Sequence, residues 1–278
     1  MMKLQAYAKL NLSLRIVGRR TDGSHDIDSI IQTIDLADAI MVKSANRGVT
    51  VINDLKLPPN VDLAARAARL LLGKKRSPQG VQIKVEKRIP VGAGLGGGSS
   101  DAAAVLWAVD RLIPPPLPTD CLVRLAARLG ADVPLFLTGG LVRVTGKGER
   151  IAPLHPLRKE RFLLLVPPVH CATAAVYAHL DRIVSTYGNS TTAPPLGCND
   201  LEAAALDLYP ALGPYREAIA SLDAEYFGMS GSGSTFYAAF SDLKIATVAR
   251  ENLVASFPEA KTHLCAATDS GYHVKGEN

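Results

Sequence analysis

Residues 4–17 alternate apolar and polar side chains for most of their length. Leu10, Leu12, Leu14 and Ile16 fall on one side; Lys9, Asn11, Ser13 and Arg15 fall on the other. A period of two predicts a strand with one polar face, shared by Lys9 and Asn11. Similar patterning predicts strands at 27–36, 39–43, 48–52, 81–86, 142–144, 161–167, 236–240 and 261–267. Helical spacing with cap residues predicts a helix from Asp62 to Leu72 stopped by Gly73, and one over 101–112 capped by Ser99 or Ser100. Others are expected from Thr119 to Leu129, over 173–185, from Asn199 onward, over 214–222 and over 243–256. Strand–helix–strand alternation in the second half suggests an α+β sandwich, with a domain boundary near 153–156 and units at 1–154 and 155–278.

One stretch breaks every period: Pro90-Val91-Gly92-Ala93-Gly94-Leu95-Gly96-Gly97-Gly98-Ser99-Ser100. Five glycines in seven positions contribute no packing and cost backbone entropy. They offer free dihedral choice and close approach to another group. A strand precedes them and a helix N-terminus follows, so backbone N–H groups collect at the positive end of a helix dipole, as in a phosphate cradle. A Walker A loop is excluded, because no Lys-Ser or Lys-Thr pair follows the last glycine. A dinucleotide fingerprint can be laid on residues 92–97, but the helix then runs into the proline-rich 114–118, not a second strand ending in an acid.

Composition narrows the classes. The 278 residues are 47% hydrophobic and 21% charged, ordinary for a soluble globular protein and enough for two domains. Thirty-one basic against 26 acidic residues leave +5, which suits phosphorylated small molecules but is too diffuse for nucleic acid. The densest basic run, Lys74-Lys75-Arg76, reads as a solvated helix C-terminus. Four scattered cysteines make no metal or disulfide pattern; Cys121 and Cys171 read as small buried thiols. No signal peptide or ~20-residue apolar run is found, so a cytoplasmic protein without a membrane partner is expected.

Four segments then fall in one order: Ala8-Lys9-Leu10-Asn11-Leu12, the glycine loop, Gly130-Ala131-Asp132-Val133-Pro134, and Met229-Ser230-Gly231-Ser232-Gly233. With Asp22-Gly23-Ser24-His25 they resemble the galactokinase–homoserine kinase–mevalonate kinase–phosphomevalonate kinase (GHMP) superfamily. Within it they resemble the kinases of 4-diphosphocytidyl-2-C-methyl-D-erythritol, over nearly the whole chain. The resemblance implies a two-domain α+β fold: a ribosomal-S5-domain-2-like N-terminal nucleotide-binding domain and a ferredoxin-like C-terminal domain. It implies ATP and Mg²⁺ as cofactors, though no protein ligand for the metal can be named. The activity implied is phosphorylation of the substrate's C2 hydroxyl in the non-mevalonate route to isopentenyl diphosphate. Residues 90–100 would hold ATP. By the same resemblance Asp132 is the general base with Lys9 as its partner, and Asn11, His25, Tyr177 and Gly231 contact substrate. Ser24 stands where the family usually has Tyr, and Asp62 where it more often has Asn, near the adenine. A monomer or homodimer is expected. The rival readings are another GHMP kinase and an S5-like RNA-binding module, for which the sequence lacks a clustered basic or aromatic face.

Overall fold

The alternating N-terminal segment becomes β1 (Met2–Arg19), which turns at Asp22-Gly23 into β2 (His25–Ala45). The computed structural model describes residues 1–55, 58, 60–155, 160–184, 186–188 and 192–276. β3 (Val49–Ile52), α1 (Leu63–Lys75), β4 (Gly80–Glu86), α2 (Gly97–Leu112), α3 (Thr119–Leu129) and the short α4 (Leu135–Thr138) follow, then β5 (Leu141–Gly146) and β6 (Arg150–Pro153). The second half holds β7 (Arg161–Val166), α5 (Thr173–Ile183), α6 (Leu201–Leu208), α7 (Gly213–Ala220), β8 (Tyr226–Met229), β9 (Phe236–Phe240), α8 (Leu243–Ser256), β10 (Lys261–Ala266) and β11 (Tyr272–Val274).

A seven-stranded sheet has the order β11-β1-β2-β4-β3, with β5 paired to the other half of β2 and β6 beyond it. A four-stranded sheet runs β10-β7-β9-β8. Helices α1, α2 and α3 pack an aliphatic and alanine-rich core against the first sheet. Helices α5 to α8 cover the second. A third cluster joins the two halves, bringing Leu10, Leu12, Ile89 and Leu95 against Phe162, Leu164 and Tyr237. Fully burying each such side chain contributes roughly 1.5–3 kcal/mol, so this apolar seam ties the layers firmly. The chain also returns: β11 pairs with β1, Leu4 opposite Val274.

Several expectations need correction. The strands expected at 27–36 and 39–43 are one strand, because Asp35 and Leu36 bulge out between the pairs Ala8↔Ile34 and Tyr7↔Ala37. That bulge hides the period without breaking the ladder. On the polar face of β1, Lys9, Asn11 and Ser13 are all buried. Helix α1 passes Gly73 and ends where Arg76 takes a left-handed conformation, φ 50°. Lys75 is no solvated cation either. It pairs with Asp110 at 2.8 Å and donates to the carbonyls of Asp110, Ile113 and Pro115. The N-cap of α2 is Gly96, φ 70°, so Ser99 and Ser100 lie inside its first turn. Helix α3 spans the expected Thr119–Leu129, with Pro118 at its N-cap. Strands β6, β8 and β11, too short to show a period, were not expected. Cys121 is only partly buried, while Cys171 is buried and its thiol is pushed up to about 11 by that burial. Of the positions expected to matter, Pro156 at the domain boundary and Ser185 at a helix end lie outside the described residues.

Candidate active site

A cavity of about 1060 Å³ lies between the halves, lined by β1, the glycine loop, the turn after α3, the start of α5 and the second glycine turn. Lys9 reaches it from the buried polar face of β1, where the strand's alternation aims it. The Lys9 ammonium donates to Asn11 Oδ1, and Asn11 Nδ2 donates to Ser29 Oγ at 2.9 Å. Burial pulls the Lys9 ammonium below the ordinary lysine range, and the field of Asp132 partly offsets this. The two residues share the cavity but make no direct ion pair; the coupling is electrostatic. Asp132 sits in the turn between α3, which ends at the Gly130 C-cap, and α4, which starts after Pro134.

The glycine loop is built as a backbone surface. Gly92, Gly94 and Gly96 all have positive φ, and residues 90–99 line the cavity. Ser100 is turned inward, with its Oγ buried and unpartnered. A Cβ on Gly94 would stand 2.0 Å from the Ser230 carbonyl, so only glycine lets the two glycine turns meet. Ser230 ties them further: its hydroxyl donates to Gly94 O at 3.0 Å and accepts from Asn11 N–H at 3.2 Å. Gly231, φ 59°, lies beside Lys9 at this junction.

Below the loop, Lys87 bridges Asp38 and Asp101. Asp38 Oδ1 accepts from the backbone of Arg88 and Ile89 at 2.6 and 2.9 Å, fixing the turn that leads into the loop. Burial pushes the Asp101 carboxyl up to about 8, against the pull of Lys87.

Also on the cavity wall, His25 packs against Tyr177, ring centroids 4.8 Å apart, and meets the edge of Tyr187 at 6.0 Å. Burial, with the Asp132 field behind it, pushes the Tyr177 phenol up to about 12. Ser24 lines the cavity, with its hydroxyl and backbone N–H both donating to Asp22 Oδ1. Asp62, the other departure, caps α1 by accepting from Ala65 N–H at 2.9 Å and also accepts from Asn53 at 2.6 Å, on the cavity wall.

The cavity thus gathers Lys9, Asn11, His25, Asp132, Tyr177 and Gly231 with the glycine loop. It adds residues that sequence reasoning passed over: Arg19, Lys87, Lys147, His170 and Asp181. Asp181 carried a signal, since it follows Tyr177 by four on α5 and shares its face. Lys147 and His170 sit in loops, where no period points.

Such a cavity, with a glycine cradle at a helix N-terminus and a lysine and carboxylate facing it, fits a small-molecule kinase of the GHMP type. The GHMP kinases N terminal domain matches residues 62–140 and the GHMP kinases C terminal domain residues 193–259. A homoserine kinase structure from Cytophaga hutchinsonii, 18% identical with TM-score 0.72 over 98% of this chain and 96% of its own, shares the fold. The 4-diphosphocytidyl-2-C-methyl-D-erythritol kinase of Thiobacillus denitrificans is 41% identical over 84% of this chain and 85% of its own. That of Solibacter usitatus is 36% identical over 86% and 81%. A crystal structure of 4-(cytidine 5'-diphospho)-2C-methyl-D-erythritol kinase superimposes with TM-score 0.82 at 34% identity, covering 96% of this chain and all of that one. The chain belongs to the 4-diphosphocytidyl-2-C-methyl-D-erythritol kinase family.

Proposed function

We propose that the protein transfers the γ-phosphoryl group of ATP to the C2 hydroxyl of 4-diphosphocytidyl-2-C-methyl-D-erythritol, releasing ADP, in the non-mevalonate route to isopentenyl diphosphate. The observation that carries the reading is one cavity lined together by Lys9, Asp132, the glycine loop, His25 and Tyr177. Phosphoryl transfer is mainly positioning and charge neutralisation. The N–H groups of residues 92–98 and the Ser99 hydroxyl hold the phosphates at the α2 N-terminus. Val61, Asp62 and Val91 border the same cavity and would give the purine a partly apolar wall.

Asp132 accepts the hydroxyl proton as the acceptor oxygen attacks. The Lys9 ammonium, held by Asn11, stabilises the developing alkoxide and keeps a positive field over the carboxylate. Asn11 and Gly231 bracket the reacting end, while His25 and Tyr177 take the base.

Mg²⁺ enters with ATP. Among the described residues no cluster of three or more His, Cys, Asp or Glu forms a metal site. A Mg²⁺ ion that accompanies ATP would keep several waters and be held mainly through the phosphates. The Ser99 hydroxyl on the cavity wall would be an oxygen donor to such an ion, which would supply charge neutralisation on the phosphates. Among the described residues no helix is long and apolar enough to cross a membrane. A cytoplasmic setting goes with the ATP requirement and with cysteines that are free.

The test is ADP release with 4-diphosphocytidyl-2-C-methyl-D-erythritol beside mevalonate and homoserine. Turnover of the first alone supports the reading. Preference for either of the others would move the chain to another GHMP activity.

A further inference from the structure

Residues 197–200, just before α6, run alongside β1. Gly197 N–H donates to Leu12 O at 2.7 Å, Leu14 N–H to Cys198 O at 2.8 Å, and Asp200 N–H to Leu14 O at 2.9 Å. Asp200 Oδ2 accepts from Ile16 N–H at 2.8 Å. The segment also meets β8 backbone to backbone, since a Cβ on Gly197 would stand 2.5 Å from the Phe227 carbonyl. It is therefore fixed on two sides.

From that footing Asn199 clasps the second glycine turn. Its Nδ2 donates to Met229 O at 2.7 Å and to Gly231 O at 2.8 Å, while its Oδ1 accepts from Leu201 N–H at 2.9 Å. A carbonyl can only accept, so the amide nitrogen must face the pair. Both of its hydrogens are then spent on the residues either side of Ser230. The Ser230 hydroxyl, itself buried, donates to Gly94 O at 3.0 Å and accepts from Asn11 N–H at 3.2 Å. Gly94 belongs to the glycine loop, and Asn11 is the residue to which the Lys9 ammonium donates. The loop has a further bond to β1, from Lys9 N–H to Leu95 O at 3.0 Å. One such bond leaves a loop free to pivot; a second, at the neighbouring residue, stops it.

We infer that Asn199 is a positioning residue for phosphoryl transfer: by clasping the turn around Ser230 it fixes how the glycine loop is set against the Lys9–Asn11 pair. The inference rests on the proposed function, because that setting bears on the transfer step. Asn199 does not line the cavity, so it acts through Ser230 and not by touching a ligand. A misplacement of about 1 Å between a bound group and the residues that act on it can cost roughly 10²-fold in rate.

The experiment measures kcat and both KM values by ADP release, with a melting temperature for each protein. The variants are Asn199→Asp, Asn199→Ala, Ser230→Ala and the double Asn199→Ala/Ser230→Ala. Asn199→Asp sets a carboxylate oxygen against two carbonyl oxygens at unchanged size. Each single change is expected to lower kcat by about tenfold or more, while the KM values for ATP and for 4-diphosphocytidyl-2-C-methyl-D-erythritol stay near wild type. The double variant is expected to lose no more than the worse single one, because residues that act as one unit are not additive. A merely structural role would lower the melting temperature and leave the kcat of folded protein intact, and that result overturns the inference. So do kcat losses that multiply in the double variant, or a loss that falls on either KM alone. Should Asn199→Asp fail to fold, Asn199→Ala and Ser230→Ala carry the comparison, and wild-type kcat in either overturns it. A wild type that releases ADP with another alcohol, and not with the cytidylyl substrate, overturns the proposed function; the same variants then test Asn199 on that alcohol.

Discussion

The ammonium of Lys9 donates to the side-chain carbonyl of Asn11, two residues along the same buried strand face. One residue of the pair is charged and fully buried, and the bond is what makes that burial tolerable. Desolvation lowers the Lys9 proton affinity, so the ammonium is lost at lower pH than an ordinary lysine would lose it. Turnover is therefore expected to fall on an alkaline limb below the usual lysine range. Asn11→Ala, which removes the acceptor, moves that limb to still lower pH in a kcat–pH profile. The sign for stability is opposite. Between the lowered folded value and the ordinary unfolded one, the unfolded chain binds more protons, so this group makes the fold more stable as pH rises. Activity lost together with melting temperature over that window would contradict the assignment of the limb to Lys9.

Gly96 is the cap on which the glycine loop turns into α2, at φ 70°. A Cβ there would meet Phe136 Cζ at 2.9 Å and Lys9 Cγ at 3.1 Å. Gly96→Val is expected to weaken ATP binding by about tenfold, the order that 1–3 kcal/mol of backbone strain implies. Gly96→Ala, the milder change, shifts affinity in the same direction. Calorimetric titration with ATP on protein of wild-type circular dichroism checks both, and wild-type affinity in either would remove the loop from the phosphate site.

Lys75→Ala leaves Asp110, which is fully buried, without its cation and strips the carbonyls of Ile113 and Pro115 of a donor. Breaking a buried pair from one side costs about 3–5 kcal/mol. Urea denaturation should show a loss of that order while the ATP KM of the folded protein holds. A loss under 1 kcal/mol would mean the pair is solvated after all.

What the sequence makes legible is what neighbours in the chain decide. The Asp62 cap, the glycine loop and the bounds of α8 depend on residues within one turn of each other, and the structure has them where the pattern predicts. Lys75 was misread because Asp110, its partner, is 35 residues away, and a cation at a helix end looks solvated until that partner is placed. The two-residue bulge at Asp35-Leu36 shifts the alternation and makes one strand look like two. Among the site residues, the motifs gave Lys9, Asn11 and Asp132, but strand periodicity alone could not tell a polar face lining a cavity from one facing water. Asp181 and Tyr187 meet the His25 ring, which reaches them from the other half of the molecule, a pairing no local period shows.

The proposed role of Asp132, taking the proton from the acceptor hydroxyl, is probed by Asp132→Asn. The substitution removes a base while keeping size and hydrogen-bonding shape. Measured by ADP release with saturating 4-diphosphocytidyl-2-C-methyl-D-erythritol, kcat is expected to fall by roughly 10²–10⁴-fold, the range for a positioned general base. The dissociation constant for ATP, measured by titration on the same protein, is expected to stay near its wild-type value. Turnover close to wild type in the asparagine variant would contradict the account.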